Sequence, residues 1–443
     1  MIHPIEHRYG SPEMRVIFDD DSRWQRMIAV EVALAKALSK LGAIPKDAAK
    51  GIADGAKKVT VARIKEIEKE TDHDVMAMVK ALTEQCGKNG DYVHLTATSY
   101  DIVDNALALQ LRDGLDIIIK KAIALRSTCA ALAAKHADTV MVGRTHGQHA
   151  VPITLGFKFA NYTDKLGHDI ERLQLDRDEC IRGKFSGAVG SYATQTLYKV
   201  QEKLEDEVMN NLGLKAAEIS TQVTPRENFA RIVCDLAVLA STAEQIGKEV
   251  RNLQRTEIDE LSEPFGAKQV GSSTMAQKKN PIHSENVCGN ARIVRSCVGP
   301  ALEDIAIEHE RDLTNSAAER SLLPTVFLLT EETVQRMDRV LTGLVVNKDR
   351  MRANLDITKG GIMAEAIMTT LVQRGFGRQD AHEVLRTASL AARKNDTALK
   401  DELLKDKRVK ARFTPKELDK LLDYSGYTGR CAGKAREVAK KWK

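Results

Sequence analysis

Between Thr98 and Ala137 the apolar residues fall at Ile102, Ala106, Leu109, Leu115, Ile118 and Ile119, a helical rather than alternating rhythm that contains one glycine, Gly114. Arg226 to Ile258 repeats the pattern with Phe229, Ile232, Val233, Leu236, Leu239, Ile246 and Val250. Prolines are absent between Pro45 and Pro152, between Pro152 and Pro225, and between Pro225 and Pro264. These spans are rich in Ala, Leu, Ile, Lys and Glu, the composition of long helices. A first helical run is expected over Arg15 to Leu41, and another over Val61 to Glu70. No run with two-residue alternation stands in the middle of the chain. The pattern predicts an all-α protein built on an elongated central helical bundle. Helices of that length expose apolar stripes that a monomer covers poorly, so assembly with other subunits is expected. Boundaries are placed near Tyr92, after Gly87-Lys-Asn-Gly90, and near Leu341, before the polar start at Val345-Val-Asn-Lys-Asp. This gives segments 1–92, 93–341 and 342–443.

Composition narrows the function. The chain has 443 residues, 43% hydrophobic and 29% charged, which fits a soluble globular protein with a large core. No apolar run approaches the roughly eighteen residues of a membrane span, and the N-terminus lacks a signal-peptide pattern, so a cytoplasmic protein without membrane contact is expected. The seven cysteines are scattered and form no Cys-x-x-Cys, which suggests neither a disulfide framework nor a zinc site. Aromatics make up only 4%, which argues against a nucleic-acid surface built on stacking. The net charge of +5 suits a small polyanionic ligand.

Gly271-Ser-Ser-Thr-Met-Ala-Gln-Lys-Lys-Asn-Pro281 lies between two helical segments and has no apolar periodicity. Alone it reads more readily as a solvated surface loop than as a donor-rich site. It resembles the signature Gly-Ser-Ser-x-Met-Pro-x-Lys-x-Asn-Pro of the fumarase/aspartase superfamily of lyases, with Ala276 where that pattern has proline. The loop of that superfamily closes over a substrate that releases fumarate.

Further stretches extend the resemblance to its adenylosuccinate lyase branch, in the archaeal and related bacterial form. Arg8-Tyr9 is nearly uninformative alone, but such a pair contacts the nucleotide phosphate in that branch. In Asp72-His73-Asp74-Val75 the two carboxylates should favour a cationic ring; the resemblance makes His73 an active-site histidine and Asp74 a substrate contact, with Asp72 a departure. Thr98 and Ser99 stand where a helix N-cap belongs, with Asp101 placed as in a capping box. A helix N-terminus is equally a carboxylate site, and the superfamily grips the fumarate end of its substrate there; Thr96 replaces a common glycine. Gly143-Arg-Thr-His-Gly-Gln-His-Ala-Val-Pro152 reads as a loop ahead of a helix. Its two histidines lack a third metal-ligand cluster, so no metal is predicted. The resemblance makes His146 the second catalytic histidine and Thr145 a substrate contact, and leaves His149 structural. Gln222 matches a substrate-touching glutamine, Arg226 either serves a helix surface or matches a family arginine, and Glu285 matches the acid that pairs with the general-acid histidine. Glu308 to Arg320 suits a salt-bridged helix surface, yet its His-Glu-Arg-Asp and Ser-x-x-Glu-Arg runs resemble this branch and not fumarases; Arg311, Ser316 and Arg320 then bind phosphate and sugar.

The resemblance implies β-elimination of fumarate from a nucleotide substrate: adenylosuccinate, giving AMP, and the succinylated aminoimidazole carboxamide ribotide. Ser272 is then the base, Lys278 and Asn280 hold the carboxylate that gains charge, and His146 is the acid, oriented by Glu285. No cofactor is needed. A homotetramer with shared active sites is implied, with His73, His146 and Ser272 drawn from different chains. Two alternatives stand beside it. One is another superfamily enzyme, such as argininosuccinate lyase or carboxymuconate cycloisomerase, against which His73 and the Glu-Arg-Asp run speak. The other is a non-catalytic scaffold, which the missing proline at 276 favours and the retained Ser272, Lys278, His146 and His73 oppose.

Overall fold

The computed structural model describes residues 8–266 and 268–443. The first elements are α1 (Pro12–Phe18), α2 (Asp20–Lys40), α3 (Lys46–Ala56), α4 (Val61–Thr71), α5 (Asp74–Cys86) and the long α6 (Ser99–Lys135). A hairpin follows, β1 (Val140–Thr145) and β2 (Gln148–Thr154), then α7 (Leu155–Glu179), α8 (Ala193–Leu197), α9 (Gln201–Leu212) and α10 (Glu227–Leu253). Next come β3 (Leu261–Ser262), α11 (Ile282–Ser296), α12 (Val298–Glu303), α13 (Thr314–Thr342), β4 (Val345–Val346) and α14 (Lys348–Asp356). Shorter helices between Ala364 and Lys441 complete the chain. The fold is all-α, as its periodicity predicts. Helices α6 and α10 match the two long predicted runs to within a few residues.

Two expectations are corrected. The run from Arg15 to Leu41 is not continuous: Asp19 takes an extended conformation and its carboxylate accepts the Ser22 N–H, ending α1 and capping α2. The stretch around His146 is not a plain loop, and the middle of the chain does contain strands. Val140 pairs with Thr154 and Thr145 with Gln148, so His146 and Gly147 form a two-residue turn. Both have positive φ, 55° and 72°, as a type I′ hairpin turn requires.

The chain divides into two compact units. One comprises the chain up to Ala122, Asp169–Ser241 and Gly289–Gln335; the other comprises Ile123–His168, Thr242–Cys288 and Arg336–Lys443. The first has a core of Trp24, Met27, Leu34 and Leu38 from α2, Ile52, Ile64, Met78 and Leu82 from α3 to α5, and Leu204 and Val208 from α9. In the second, Val142 of the hairpin packs with Leu355, Ile362, Met363 and Tyr424. The β3–β4 bridge pairs Leu261 with Val346.

Within the first unit, Asp176 of α7 is almost completely buried, and its carboxyl is pushed up to about 7 by burial and by the neighbouring Asp235, against Arg172. Asp235 of α10 itself accepts from Arg172 at 3.0 Å. The folded chain therefore holds a proton that the unfolded chain releases near pH 4, and stability falls as pH climbs from there through about 7. Asp176→Asn should remove that loss and stabilise the protein at pH 8 relative to pH 5 by on the order of 1–4 kcal/mol. Denaturant midpoints at the two pH values check this; an equal effect at both would contradict it.

Candidate functional site

The first unit contains a cleft of about 400 Å³ lined by His73, Asp74, Ser99, Tyr100, Arg311, Ser316 and Arg320, among others. Sequence segments more than two hundred residues apart thus meet, and each is positioned by a helix end. His73 is the N-cap of α5, its Nδ1 facing the Met76 N–H at 3.4 Å. That contact ties the ring to the first turn of α5. The Asp74 Oδ2 accepts from Arg23 at 2.6 Å and from Arg320 at 2.7 Å. Burial would raise the Asp74 carboxyl, but Arg23, the Val75 N–H and Arg320 outweigh it and hold the group below the usual carboxylate range.

Arg311 stacks on Tyr100, its guanidinium carbon 3.4 Å from the ring centroid. One terminal nitrogen donates to Gln222 Oε1 at 2.8 Å, while Nε and Nη2, shielded from water, find no acceptor among the described residues. Buried guanidinium donors without an acceptor are costly, and an anionic ligand is their natural partner. Gln222 spends its amide on Arg311 and on the Ala188 carbonyl, 2.9 Å away, so in this state it orients the arginine. Thr98 and Ser99 open α6; the cap bond runs from the Thr98 N–H to Asp101 Oδ2 at 2.9 Å. Nearby, burial would lower His94, but its 2.6 Å bond to the buried Glu31 outweighs this and raises it.

Arg8 and Tyr9 do not line this cleft. The backbone after them is fixed to α13, where Gly10 and Ser11 donate to Glu332 and Glu331. Arg226 is not on a helix surface. It is buried between Asp104 and Glu319, with bonds of 2.7 to 3.2 Å to both carboxylates. It is a structural ion cluster.

The second unit holds the remaining candidates. His146 and Thr145 are exposed at the hairpin tip. Beneath them Arg144 makes a two-pronged bond to the fully buried Glu260, at 2.8 and 2.7 Å, and Asn354 donates to the same carboxylate. The tip is therefore presented on a rigid base. His149 sits beside Arg144, and burial together with that guanidinium lowers its pKa.

Residues 271–281 form an irregular loop, as the sequence predicts. Ser272 Oγ accepts from the Thr274 N–H at 3.3 Å and the Met275 N–H at 3.1 Å. Asn280 Nδ2 closes the loop onto the Gly271 carbonyl at 2.9 Å. Gly271 is required at this neck, since a Cβ there would lie 2.0 Å from the Lys278 carbonyl oxygen. Lys278 and Ala276 are exposed on the loop. Glu285 lies in the first turn of α11, exposed. Sequence reading missed Glu263, whose buried carboxylate accepts the His283 and Ser284 N–H groups at the start of that helix.

Several non-glycine residues with positive φ stand next to these groups: Asp72 before His73, Thr96 before Thr98, His146 itself and His309 before Arg311. Such conformations cost roughly 1–2 kcal/mol each and gather at functional sites. Among the described residues no cluster of three or more metal-ligating side chains is present, and no helix is long and apolar enough to cross a membrane.

Comparison with known proteins places this geometry in context. A protein-family model described as "Lyase" matches residues 7–296, and one described as "Adenylosuccinate lyase C-terminus" matches residues 360–438. The adenylosuccinate lyase of Pyrococcus horikoshii is 47% identical over 442 residues, covering 99% of this chain and 97% of that protein. Among solved structures, a fumarate lyase from Mesorhizobium superposes with a TM-score of 0.90 at 31% identity, covering 97% of this chain and 98% of that one. The 3-carboxy-cis,cis-muconate lactonizing enzyme of Pseudomonas putida does so with the same score and identity, covering 98% and 97%. Shape alone does not separate the reactions these neighbours are named for. Sequence identity and the C-terminal match do.

Proposed function

We propose the following mechanism from the premise that this chain belongs to the adenylosuccinate lyase family and cleaves adenylosuccinate to AMP and fumarate. The proton to be removed is adjacent to a carboxylate and only weakly acidic, so the transition state develops a second negative charge there. Ser272 removes it. A serine serves as base only where its alkoxide is stabilised, and the carrying observation is that two loop N–H groups already point at Ser272 Oγ. Lys278 adds a positive charge, and Asn280, now holding the loop neck, turns to the charged carboxylate on closure. Thr98 and Ser99 hold the other carboxylate at the N-terminus of α6. His146, backed by Glu285, protonates the departing nitrogen.

The nucleotide occupies the cleft of the first unit. Arg311, Ser316 and Arg320 take phosphate and sugar, and His73 with Asp74 faces the purine. Gln222 keeps Arg311 in place and Thr145 steers substrate beside His146. Arg8 and Tyr9 reach the phosphate once substrate is bound. The same site accepts the succinylated aminoimidazole carboxamide ribotide, which shares the succinyl-amino linkage and the ribose phosphate. No cofactor takes part. The protein works in the cytoplasm as a homotetramer, with segment 1–92 supplying His73, 93–341 supplying the loop and hairpin, and 342–443 supporting them. Exposed Leu175, Val238, Ile293 and Leu302 on α7, α10, α11 and α12 support such an assembly.

The direct test is fumarate release from adenylosuccinate, followed by ultraviolet absorbance; no turnover by the assembled protein would end this reading. Arg311→Met should raise the dissociation constant of AMP roughly ten- to a hundredfold, the worth of charge-assisted hydrogen bonds. Calorimetric titration checks this, and unchanged affinity would remove Arg311 from the phosphate site.

A further inference from the structure

We propose that Lys184 and Asp101 are positioning residues for the carboxylate grip, and that the segment Gly183–Gly190 is the scaffold through which they act. The inference rests on the reading of Thr98 and Ser99 given above.

Asp101 lies in the first turn of α6 and is wholly inaccessible to solvent, as is Lys184. Its Oδ2 accepts the Thr98 N–H at 2.9 Å. Its Oδ1 accepts Lys184 Nζ at 2.5 Å, the Ser186 N–H at 3.2 Å and the Gly187 N–H at 3.3 Å. Four donors fill the capacity of one carboxylate. A buried ion pair adds little stability over an apolar pair of the same volume, so stability alone does not account for one here. What the pair does fix is geometry: the backbone that presents Thr98 and Ser99 hangs directly from Asp101.

The neighbouring bonds have the same effect. Asn105 Nδ2 donates to the Lys184 carbonyl at 2.7 Å and its Oδ1 accepts the Lys184 N–H. Gln195 Nε2 holds the Thr96 carbonyl at 3.1 Å, at a residue whose left-handed φ of 69° persists only under such restraint. Gly183 packs so closely that a Cβ would lie 2.0 Å from Asn105 Oδ1. At the other end of the segment, the Ala188 carbonyl holds Gln222 and, through it, Arg311. The pair also bonds Ser186 and Gly187, but its link to Thr98 is direct, whereas the path to Arg311 runs on through Ala188 and Gln222, which gives it a graded signature weighted to the carboxylate grip.

The test compares inhibition by fumarate with inhibition by AMP. Lys184→Met alone strands a buried carboxylate, so the variant of choice is Lys184→Met with Asp101→Asn, which removes both charges together. In the folded, assembled double variant the inhibition constant of fumarate should rise at least about tenfold while that of AMP stays within about twofold, as expected when one charge-assisted grip is misplaced and a separate one is not. If the double variant does not assemble, Gln195→Leu releases only the Thr96 carbonyl and carries the same expectation. Fumarate inhibition unchanged, or both constants rising in parallel, would overturn the positioning role. Thr98→Ala with Ser99→Ala is the separate control: if it leaves fumarate inhibition unchanged, the carboxylate grip itself is wrong.

Discussion

Ser272→Ala should lower turnover by at least about a thousandfold, within the range general-base removal produces, while substrate still binds within a few-fold of normal. The two effects separate because the serine and the binding groups are different residues. Ser272 Oγ accepts the Thr274 and Met275 N–H groups, an arrangement that favours negative charge on that oxygen. Arg311, proposed above to meet the nucleotide, is held by Tyr100 and Gln222, neither of which belongs to the loop. Alanine keeps the backbone at 272 and the closure of Asn280 onto Gly271, so the loop should keep its neck. Single-turnover measurement of fumarate release, beside equilibrium binding of substrate, checks both halves. Turnover within tenfold of normal would take Ser272 out of the chemistry.

How far the sequence alone reaches follows from the range of the forces involved. Helices α6 and α10 were legible because their apolar periodicity is local and long, and the irregular course of 271–281 because nothing periodic competes with Gly271 and Pro281. The hairpin at 140–154 was not. Its strands are short, Gly143 interrupts one and Pro152 the other, and its one local signal was the His146-Gly147 pair between Val-rich flanks. The break at Asp19 was hidden inside an unbroken helical rhythm, although an aspartate followed by acidic residues is a start signal. Ion pairs were least legible. Arg226 finds Asp104 and Glu319, Lys184 finds Asp101, and Asp74 finds Arg23 and Arg320, across separations that no local pattern encodes. Two of these pairs bear directly on the candidate site, and one changes what Arg226 is for. The individual motif residues were found by resemblance, whereas the bonds that orient them were visible only in the folded chain.

The central claim is that one working site draws His146 and Ser272 from different chains, and mixing two inactive variants tests it most directly. His146→Ala and Ser272→Ala should each be inactive alone, one lacking the proposed acid and the other the proposed base. Unfolded together in equal amounts and reassembled, they should recover about a quarter of normal activity, because random symmetric assembly gives that fraction of sites an intact histidine from one chain and an intact serine from another. Sizing and mass measurement establish that mixed tetramers have formed. Recovery near that fraction is the result this account predicts. Verified mixed tetramers with no recovered activity, or a fully active monomer, would contradict it.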